Sequence, residues 1–177
     1  MTTFAIRQFG DPALRQATKD IDEIDAAVAK LAQDMIETMR EAHGAGLAAN
    51  QVGVQRRMFV YDVGDGPVVV VNPRIVESSG EWIYEEGCLS VPGLSWPIPR
   101  PNLVHLIGYD LDGNELSLEG EELEGRVFQH EVDHLNGTLL VERLNDEQRR
   151  EAKAILRARA LNLPAGDPDG LGTLADE

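Results

Sequence analysis

The chain lacks the features that mark secreted and membrane proteins. Its one cysteine, Cys88, leaves no partner for a disulfide within the chain. Apolar runs such as Val68–Val71 end after four residues, whereas a membrane-spanning helix needs about 20. The first residues have neither the basic start nor the apolar segment of a secretory signal peptide. Together these absences predict a cytoplasmic protein that does not enter a membrane.

Positive charge is also scarce. Lysine and arginine total 16 against 31 aspartates and glutamates, which gives a net charge of −15 at pH 7. A chain this acidic repels phosphate backbones, so sequence-specific nucleic-acid binding is not expected. Residues 146–163 depart from this balance. They contain five bases, namely Arg149, Arg150, Lys153, Arg157 and Arg159.

The length of 177 residues suits one domain. The segment that follows Pro164 is polar and rich in glycine and proline. Such a composition buries too little apolar surface to order itself. We therefore expect a single domain over residues 1–163 and a flexible polar, acidic tail over 164–177.

Three helices are predicted from apolar spacing and caps, at about Asp25–His43, Glu121–Asn136 and Asn145–Leu161. Gly44 is expected to supply the left-handed residue that ends the first helix. Short β-rich runs predict strands at Met58–Tyr61, Val68–Val71, Arg74–Glu77, Glu81–Tyr84, Leu103–Tyr109 and Glu115–Glu119. The last two flank Asp112-Gly113, which is typical of an antiparallel hairpin. The expected class is α+β, with small antiparallel sheets around a central helix and with an N-terminal and a C-terminal helix.

The central helix contains His130-Glu131-Val132-Asp133-His134. Four residues advance a helix by about 400°, so the two histidines lie on one face and can both contact a single metal ion. Glu131 projects beside that pair, where it can act as a general base. Asp133 points away from the ligand face and is interpreted as solvated or as a support for the ligands. The alternative is a pair of hydrogen-bonded core histidines, but the spacing and the adjacent glutamate favour metal.

Two histidines leave a catalytic metal short of ligands, because such sites usually take three from the protein. Cys88 lies in a stretch punctuated by glycine and proline, which predicts a bend at the end of a strand. A lone cysteine is more often a small buried apolar residue. Glu86 and Glu131 compete as oxygen ligands, and a nucleophilic Cys88 with a histidine partner is a further interpretation. The residues alone leave the third ligand open.

Three motifs, in this order, resemble those of bacterial peptide deformylases. They are Gly44-Ala45-Gly46-Leu47-Ala48-Ala49-Asn50-Gln51, Glu86-Gly87-Cys88-Leu89-Ser90 and Gln129-His130-Glu131-Val132-Asp133-His134-Leu135-Asn136-Gly137. The stretch Gly10–Arg15 also fits, and the resemblance extends over about Phe4–Leu163. Ala45 is a departure, because family members usually have a larger aliphatic residue there. That difference affects the local shape of the pocket rather than the chemistry.

The resemblance implies that Cys88, His130 and His134 hold one divalent metal ion. Fe²⁺ is the expected ion, with Zn²⁺, Ni²⁺ or Co²⁺ as replacements. The resemblance further implies that water at the metal is the nucleophile and that Glu131 is the general acid and base. The implied reaction removes the N-formyl group from N-formylmethionyl ends of nascent polypeptides and releases formate.

The resemblance also implies roles around the reacting carbonyl. Gln51, through its side-chain NH₂, and Leu89, through its backbone N–H, would stabilise the oxyanion. Gly44 and Gly46 would let their loop approach the substrate backbone closely.

The remaining expectations concern the substrate pocket and partners. Leu123 and Val127 lie on the same helical stripe as the histidines and are expected to line the methionine pocket, with core packing as the alternative.

The basic segment 146–163 predicts a transient ribosome contact, with a solvated helix face as the alternative. Two rival functions are a His-Glu-x-x-His metallopeptidase and a non-enzymatic nascent-chain or ribosome-binding module with a structural metal.

Overall fold

A computed structural model of the chain describes residues 2–162. The tail predicted over 164–177 lies outside the described residues. The chain divides into two compact units, the first ending at Leu140 and the second beginning at Val141. Within residues 2–162, three α-helices accompany two antiparallel sheets, so the predicted α+β class is confirmed. The extent of the catalytic domain, 1–163, stays a prediction.

Seven strands lie in the first unit. They are β1 (Gly46–Ala48), β2 (Met58–Tyr61), β3 (Val68–Ser79), β4 (Trp82–Cys88), β5 (Val91–Arg100), β6 (Leu103–Tyr109) and β7 (Glu115–Glu121). Five of them form an antiparallel sheet in the order β1-β2-β3-β6-β7, and β4 and β5 form a separate hairpin. The hairpin bends back through Leu89-Ser90, since Cys88 pairs with Val91. Cys88 is therefore the last residue of a strand, as its glycine-rich surroundings suggest.

The N-terminal helix α1 (Ala26–Glu41) begins where the sequence predicts. The side chain of Asp25 accepts a hydrogen bond from the Val28 N–H at 2.9 Å and caps the helix. Its apolar face, which includes Met35 and Met39, packs in one core with β1 and β2.

The end of α1 differs from the prediction that Gly44 adopts the left-handed conformation. His43 adopts it instead, with φ of 55°. Gly44 is needed because a side chain has no room there: an added Cβ would lie 2.6 Å from Cδ1 of Leu89. The glycine thus lets the loop after α1 pack closely against Leu89 in the β4–β5 turn.

The central helix α2 (Glu122–Leu135) lies against the five-stranded sheet. Phe128 and Leu135 are fully buried with Val104 and Leu106 of β6. Full burial of a large apolar side chain stabilises the fold by about 1.5–3 kcal/mol. Other α2 side chains bond to the hairpin, as the Arg126 guanidinium does to the Trp82 carbonyl oxygen at 2.6 Å. The helix therefore joins the sheet to the β4–β5 hairpin.

Two segments that were predicted as separate strands form a single strand in the structure. Val68–Val71 and Arg74–Glu77 both belong to β3, which runs through Asn72-Pro73 with a register shift. Asn72 has φ of 51° and Pro73 has no N–H to donate, so the pairing is interrupted there without ending the strand.

The strand β5 was not predicted, because prolines disfavour strands. It contains Pro97 and Pro99, which are two residues apart, and also Pro92, which lies in the irregular segment between the paired residues Val91 and Ser95. N–H groups alternate in direction along a strand, so the donors missing at Pro97 and Pro99 fall on the same edge. A two-stranded sheet leaves one edge of each strand unpaired, and the prolines are tolerated there.

The second unit contains α3 (Asp146–Ala160), close to the predicted Asn145–Leu161. The predicted capping box is present, since the Asn145 side chain accepts from the Gln148 N–H and the Gln148 side chain accepts from the Asn145 N–H. In residues 2–162, no helix has both the length and the apolar character that crossing a bilayer requires.

Candidate metal centre

Three potential ligand atoms converge between the β4–β5 turn and α2. Cys88 Sγ lies 3.3 Å from His134 Nε2, and the Nε2 atoms of His130 and His134 lie 3.2 Å apart. The three donor atoms all lie within 4.8 Å of one another. The helical spacing explains the histidine pair, and the hairpin brings the thiol to it from a distant part of the chain.

The histidine rings are oriented as metal ligands require. His130 Nδ1 lies 2.7 Å from Glu86 Oε1, and a carboxylate can only accept, so Nδ1 carries the proton. Nε2 of His130 is therefore the nitrogen that is available to a metal ion at the three donor atoms. His134 Nδ1 is buried and has no hydrogen-bond partner among the described residues. Two imidazoles and a thiolate are a donor set for zinc, iron, cobalt or nickel, so the residues present fit a divalent transition metal.

The thiol and the imidazoles of the site also change one another's protonation. Burial raises the pKa of the Cys88 thiol, but the charges of His134 and His130 outweigh it and lower that pKa well below its usual range. Burial lowers the pKa of His130, and the Cys88 thiolate reverses this and raises the pKa well above its usual range. The site thus stabilises the thiolate, which is the form that binds metals.

Glu86, a candidate oxygen ligand by sequence, is turned away from the three donor atoms. Its buried carboxylate accepts hydrogen bonds from Arg100 Nε (2.8 Å), Arg100 Nη2 (2.7 Å), Arg126 Nη1 (2.6 Å) and His130 Nδ1 (2.7 Å). Burial raises the pKa of Glu86, but the bonds from His130 and Arg100 lower it far below its usual range. Glu86 therefore remains ionised and supports a histidine.

Glu131 is buried beside the donor set and lies against the backbone of β1. An added Cβ on Gly46 would lie 2.5 Å from Glu131 Oε1. Glu131 Oε2 is buried without a hydrogen-bond partner among the described residues. Burial raises the pKa of this carboxyl, and the nearby histidines only partly oppose the shift. A carboxyl group with a raised pKa is suited to take up and release a proton near neutral pH.

Gln51 and Leu89 both lie next to Cys88. Gln51 Oε1 accepts from the Ala48 N–H at 3.0 Å, which fixes the amide so that its NH₂ group faces Ser90 Oγ (3.1 Å) and Cys88 Sγ (3.9 Å). Leu89 follows Cys88 in the hairpin turn, and its side chain covers Gly44. The structure thus places both predicted oxyanion donors at the candidate centre, and their role stays a prediction.

A cavity of about 610 Å³ opens onto this centre. It is lined by Cys88, His130, Glu131 and Gln51, and by all four predicted substrate-binding residues, Gly44, Gly46, Leu123 and Val127. Ala45 lines the same cavity. Val127 is buried, whereas Leu123 is 39% exposed at the cavity. A volume of this size accepts a short peptide end or a small molecule.

The arginines and aromatic residues of the site were not predicted from the sequence. Arg126 stacks over the rings of Trp82 and Tyr84, at 5.2 and 5.8 Å from their centroids. It lies four residues before His130, and that spacing predicts the same helix face. Arg100 lies on a strand that was not predicted, and no local pattern indicates it.

Comparisons with known proteins agree with this geometry. The model of the polypeptide deformylase family matches residues 3–150. The peptide deformylase of Clostridium botulinum (strain Alaska E43 / Type E3) is 47% identical over 138 residues, which cover 78% of this chain and 94% of that protein. That of Acidothermus cellulolyticus is 45% identical over 158 residues, covering 89% and 87%.

Solved structures are also similar. The crystal structure of a peptide deformylase from Legionella pneumophila has a TM-score of 0.85 and 38% identity, covering 91% of this chain and 98% of that one. The peptide deformylase from Ehrlichia chaffeensis in complex with actinonin has a TM-score of 0.85 and 35% identity, covering 90% and 98%.

Proposed function

Because this chain belongs to the polypeptide deformylase family of metal-dependent hydrolases, we propose that it removes the N-formyl group from the formyl-methionine of newly synthesised polypeptides and releases formate. The observation that carries this proposal is the convergence of Cys88, His130 and His134 beside a buried Glu131 in one cavity. The same arrangement favours a deformylase over the metallopeptidase alternative, because the third donor is a thiolate.

Cys88, His130 and His134 would hold the metal ion through Sγ and the two Nε2 atoms. We propose Fe²⁺, with Zn²⁺, Ni²⁺ or Co²⁺ as replacements, since all four suit these donors. When bound, a divalent ion supplies Lewis acidity, which polarises the formyl carbonyl and lowers the pKa of water toward neutrality.

Glu131 would move the proton. Its carboxylate accepts a proton from the attacking water and then donates it to the nitrogen of the leaving amine. The raised pKa that burial gives this carboxyl supports both halves of the transfer.

Gln51 and Leu89 would stabilise the developing oxyanion, through the side-chain NH₂ and the backbone N–H. One such donor is worth about 2.7–4 kcal/mol in the transition state. Leu123 and Val127 offer apolar surface for the methionine side chain, and Gly44 and Gly46 would lie along the substrate backbone at the wall of the cavity. This arrangement would direct the formyl carbon toward the metal centre.

The direct test compares two substrates. The metal-loaded protein is expected to release formate from formyl-Met-Ala and to leave casein uncut. Casein cleavage without formate release would establish the metallopeptidase alternative instead.

The variant Glu131→Gln tests the proton transfer. It is expected to retain metal and fold while turnover falls by about 10²–10⁴-fold, the usual contribution of general acid–base catalysis. Metal analysis and the formate assay on one sample measure both properties. Retained metal with a near-normal rate would refute the role of Glu131 in proton transfer, whereas a metal-loaded parent protein that releases no formate would favour a structural metal in a binding module.

We further propose a cytoplasmic location and a transient ribosome contact through α3. Several bases on this helix, including Arg150, Lys153 and Arg157, are exposed. Arg157→Glu should weaken cosedimentation with ribosomes severalfold at low salt, whereas the matched control Arg40→Glu on α1 should not. Equal binding by the two variants would leave α3 as an ordinary solvated helix.

A further inference from the structure

Arg100 connects the cysteine-bearing hairpin to the histidine-bearing helix. It is the last residue of β5, and its guanidinium is divided between two carboxylates. Nε and Nη2 donate to Glu86 at 2.8 and 2.7 Å, while Nη1 donates to Asp133 Oδ2 at 3.0 Å. The side chains of Arg100 and Asp133 are only 5% and 13% exposed, so water has little access to either group.

The two carboxylates have different consequences for the metal ligands. Glu86 accepts a hydrogen bond from Nδ1 of His130 and so determines which nitrogen of that ring faces Cys88. Asp133 contacts no candidate ligand through these bonds, but it holds the opposite end of the guanidinium. A guanidinium is planar and rigid, so anchoring one end determines where the other end points. Asp133 therefore acts on Glu86 through the orientation of Arg100.

The bonds form a closed path between two structural elements. The path leaves α2 at Asp133, crosses to β5 at Arg100 and to β4 at Glu86, and returns to α2 at His130. Cys88 is two residues beyond Glu86 on the same strand. The path consequently spans the gap across which the thiol and the imidazoles must meet.

We propose that Asp133 is a positioning residue for the metal centre: through Arg100 and Glu86 it holds the β4–β5 hairpin against α2 at the separation that lets Cys88, His130 and His134 bind one ion. This inference rests on the proposed metal-dependent function. It assigns to Asp133 an effect on metal affinity that a residue serving only general stability would not have.

The test measures metal affinity in the absence of substrate. Full-length apoprotein is titrated with Co²⁺ and with Zn²⁺ against a chromophoric chelator, for the parent, Asp133→Asn, Glu86→Gln and the double variant. Removal of a group that supports a ligand typically costs about 10–100-fold in affinity. Asp133→Asn is expected to lose metal affinity by about tenfold, at the lower end of this range, and to show a weakened thiolate-to-Co²⁺ absorption band. The double variant should lose no more than Glu86→Gln alone, since Asp133 acts through Glu86.

Two further variants keep the test decisive if Asp133→Asn folds poorly. Arg100→Lys keeps the charge but loses the rigid planar guanidinium that orients Glu86 and Asp133 relative to each other, so it should lose affinity as Asp133→Asn does. Asp34→Asn removes another buried, ion-paired carboxylate, on α1, and should leave metal affinity unchanged. Affinity within twofold of the parent in both Asp133→Asn and Arg100→Lys would overturn the proposal. Losses that multiply in the double variant would also overturn it.

The proposed function fails independently of this inference. A protein that binds Co²⁺ with the expected variant pattern but releases no formate from formyl-Met-Ala would contradict the deformylase activity and leave the role of Asp133 intact. A protein that releases formate, but whose metal affinity is unchanged in these variants, would support the deformylase activity and contradict the role of Asp133.

Discussion

At the scale of single residues, the space around Gly46 determines where the proposed proton-transfer group can lie. A Cβ at this position would lie 2.5 Å from Oε1 and 2.9 Å from Cδ of Glu131. The carboxylate thus rests directly on the backbone of β1, and only glycine leaves room for it. The position of Glu131 depends on a strand residue as much as on its own helix.

Gly46→Ala should therefore displace the Glu131 carboxylate while leaving Cys88, His130 and His134 in place. Because misplacing a catalytic group by about 1 Å can cost on the order of 10²-fold in rate, we expect a loss of roughly that size in kcat with metal content retained. Formate release and metal analysis measure the two effects.

Gly113→Ala is the matched control for this variant. Gly113 lies in the β6–β7 turn with φ of 81°, and an added Cβ there would contact nothing within 4 Å. The substitution should cost about 1 kcal/mol of stability through backbone strain and leave kcat unchanged. A normal kcat in Gly46→Ala would contradict the prediction that the position of the Glu131 carboxylate controls the rate.

At the scale of secondary-structure elements, the N-terminal segment is held on α1 by Asp34. Its buried carboxylate accepts from Lys30 Nζ at 2.7 Å and from the Thr2 N–H at 3.1 Å. The next attachment is similar, since the Phe4 N–H donates to Thr38 Oγ at 3.0 Å. Two side chains one helical turn apart thus dock the first residues of the chain.

The hydrogen bond from Lys30, followed by that from Thr2, lowers the pKa of Asp34 in the folded protein. A carboxyl with a lowered folded-state pKa stabilises the fold above its unfolded pKa of about 3.9, and that stabilisation is lost as pH falls through the folded value. Asp34→Asn should therefore be less stable than the parent at pH 7, and the difference should shrink below about pH 4. Urea unfolding across this pH range measures it.

Glu41→Gln, at the exposed end of the same helix, serves as the control for the Asp34 experiment. Its carboxylate is exposed, so this variant reports the effect of removing one negative charge from the surface of α1. A destabilisation of Asp34→Asn that stays constant down to pH 2 would mean that packing, and not the carboxylate charge, is responsible.

Elements specified by neighbouring residues were predictable from the sequence. The helices begin at Asp25 and Asn145 because each side chain caps the following turn. The strand β5 could not be predicted, since its prolines are tolerated only because one edge is unpaired, and that depends on the sheet. The left-handed residue at His43 was likewise missed, because local preference favours Gly44.

At the scale of the whole molecule, the candidate site assembles segments that are distant in sequence. His130 and His134 could be predicted because one helical turn relates them. Cys88 lies 46 residues before His134, so the residues alone left it open and only the family resemblance indicated it. Nothing in the sequence indicated Arg100, because its role depends on how the hairpin meets α2.

Such a site couples metal binding to folding, because its ligands meet only in the folded chain. Chelation should lower the melting temperature, and readdition of Co²⁺ or Zn²⁺ should restore it. A free metal concentration of 100 times Kd adds about 2.7 kcal/mol of stability, which corresponds to several degrees in a protein of this size. Differential scanning calorimetry of one sample before and after metal removal measures the shift.

Cys88→Ala is the control for that experiment, because without the thiolate the metal should bind far more weakly and the melting temperature should respond little to it. A melting temperature that stays constant in the parent while its metal content falls to zero would contradict the coupling.

The single thiol has a practical consequence. Because Cys88 is the one cysteine of the chain and belongs to the donor set, iodoacetamide has one thiol to alkylate. A coordinated sulfur reacts slowly with such reagents, since its lone pair is engaged. The proportion of intact protein that gains one acetamide mass in a brief exposure therefore reports the fraction of molecules without metal, even in a crude extract and with the native sequence.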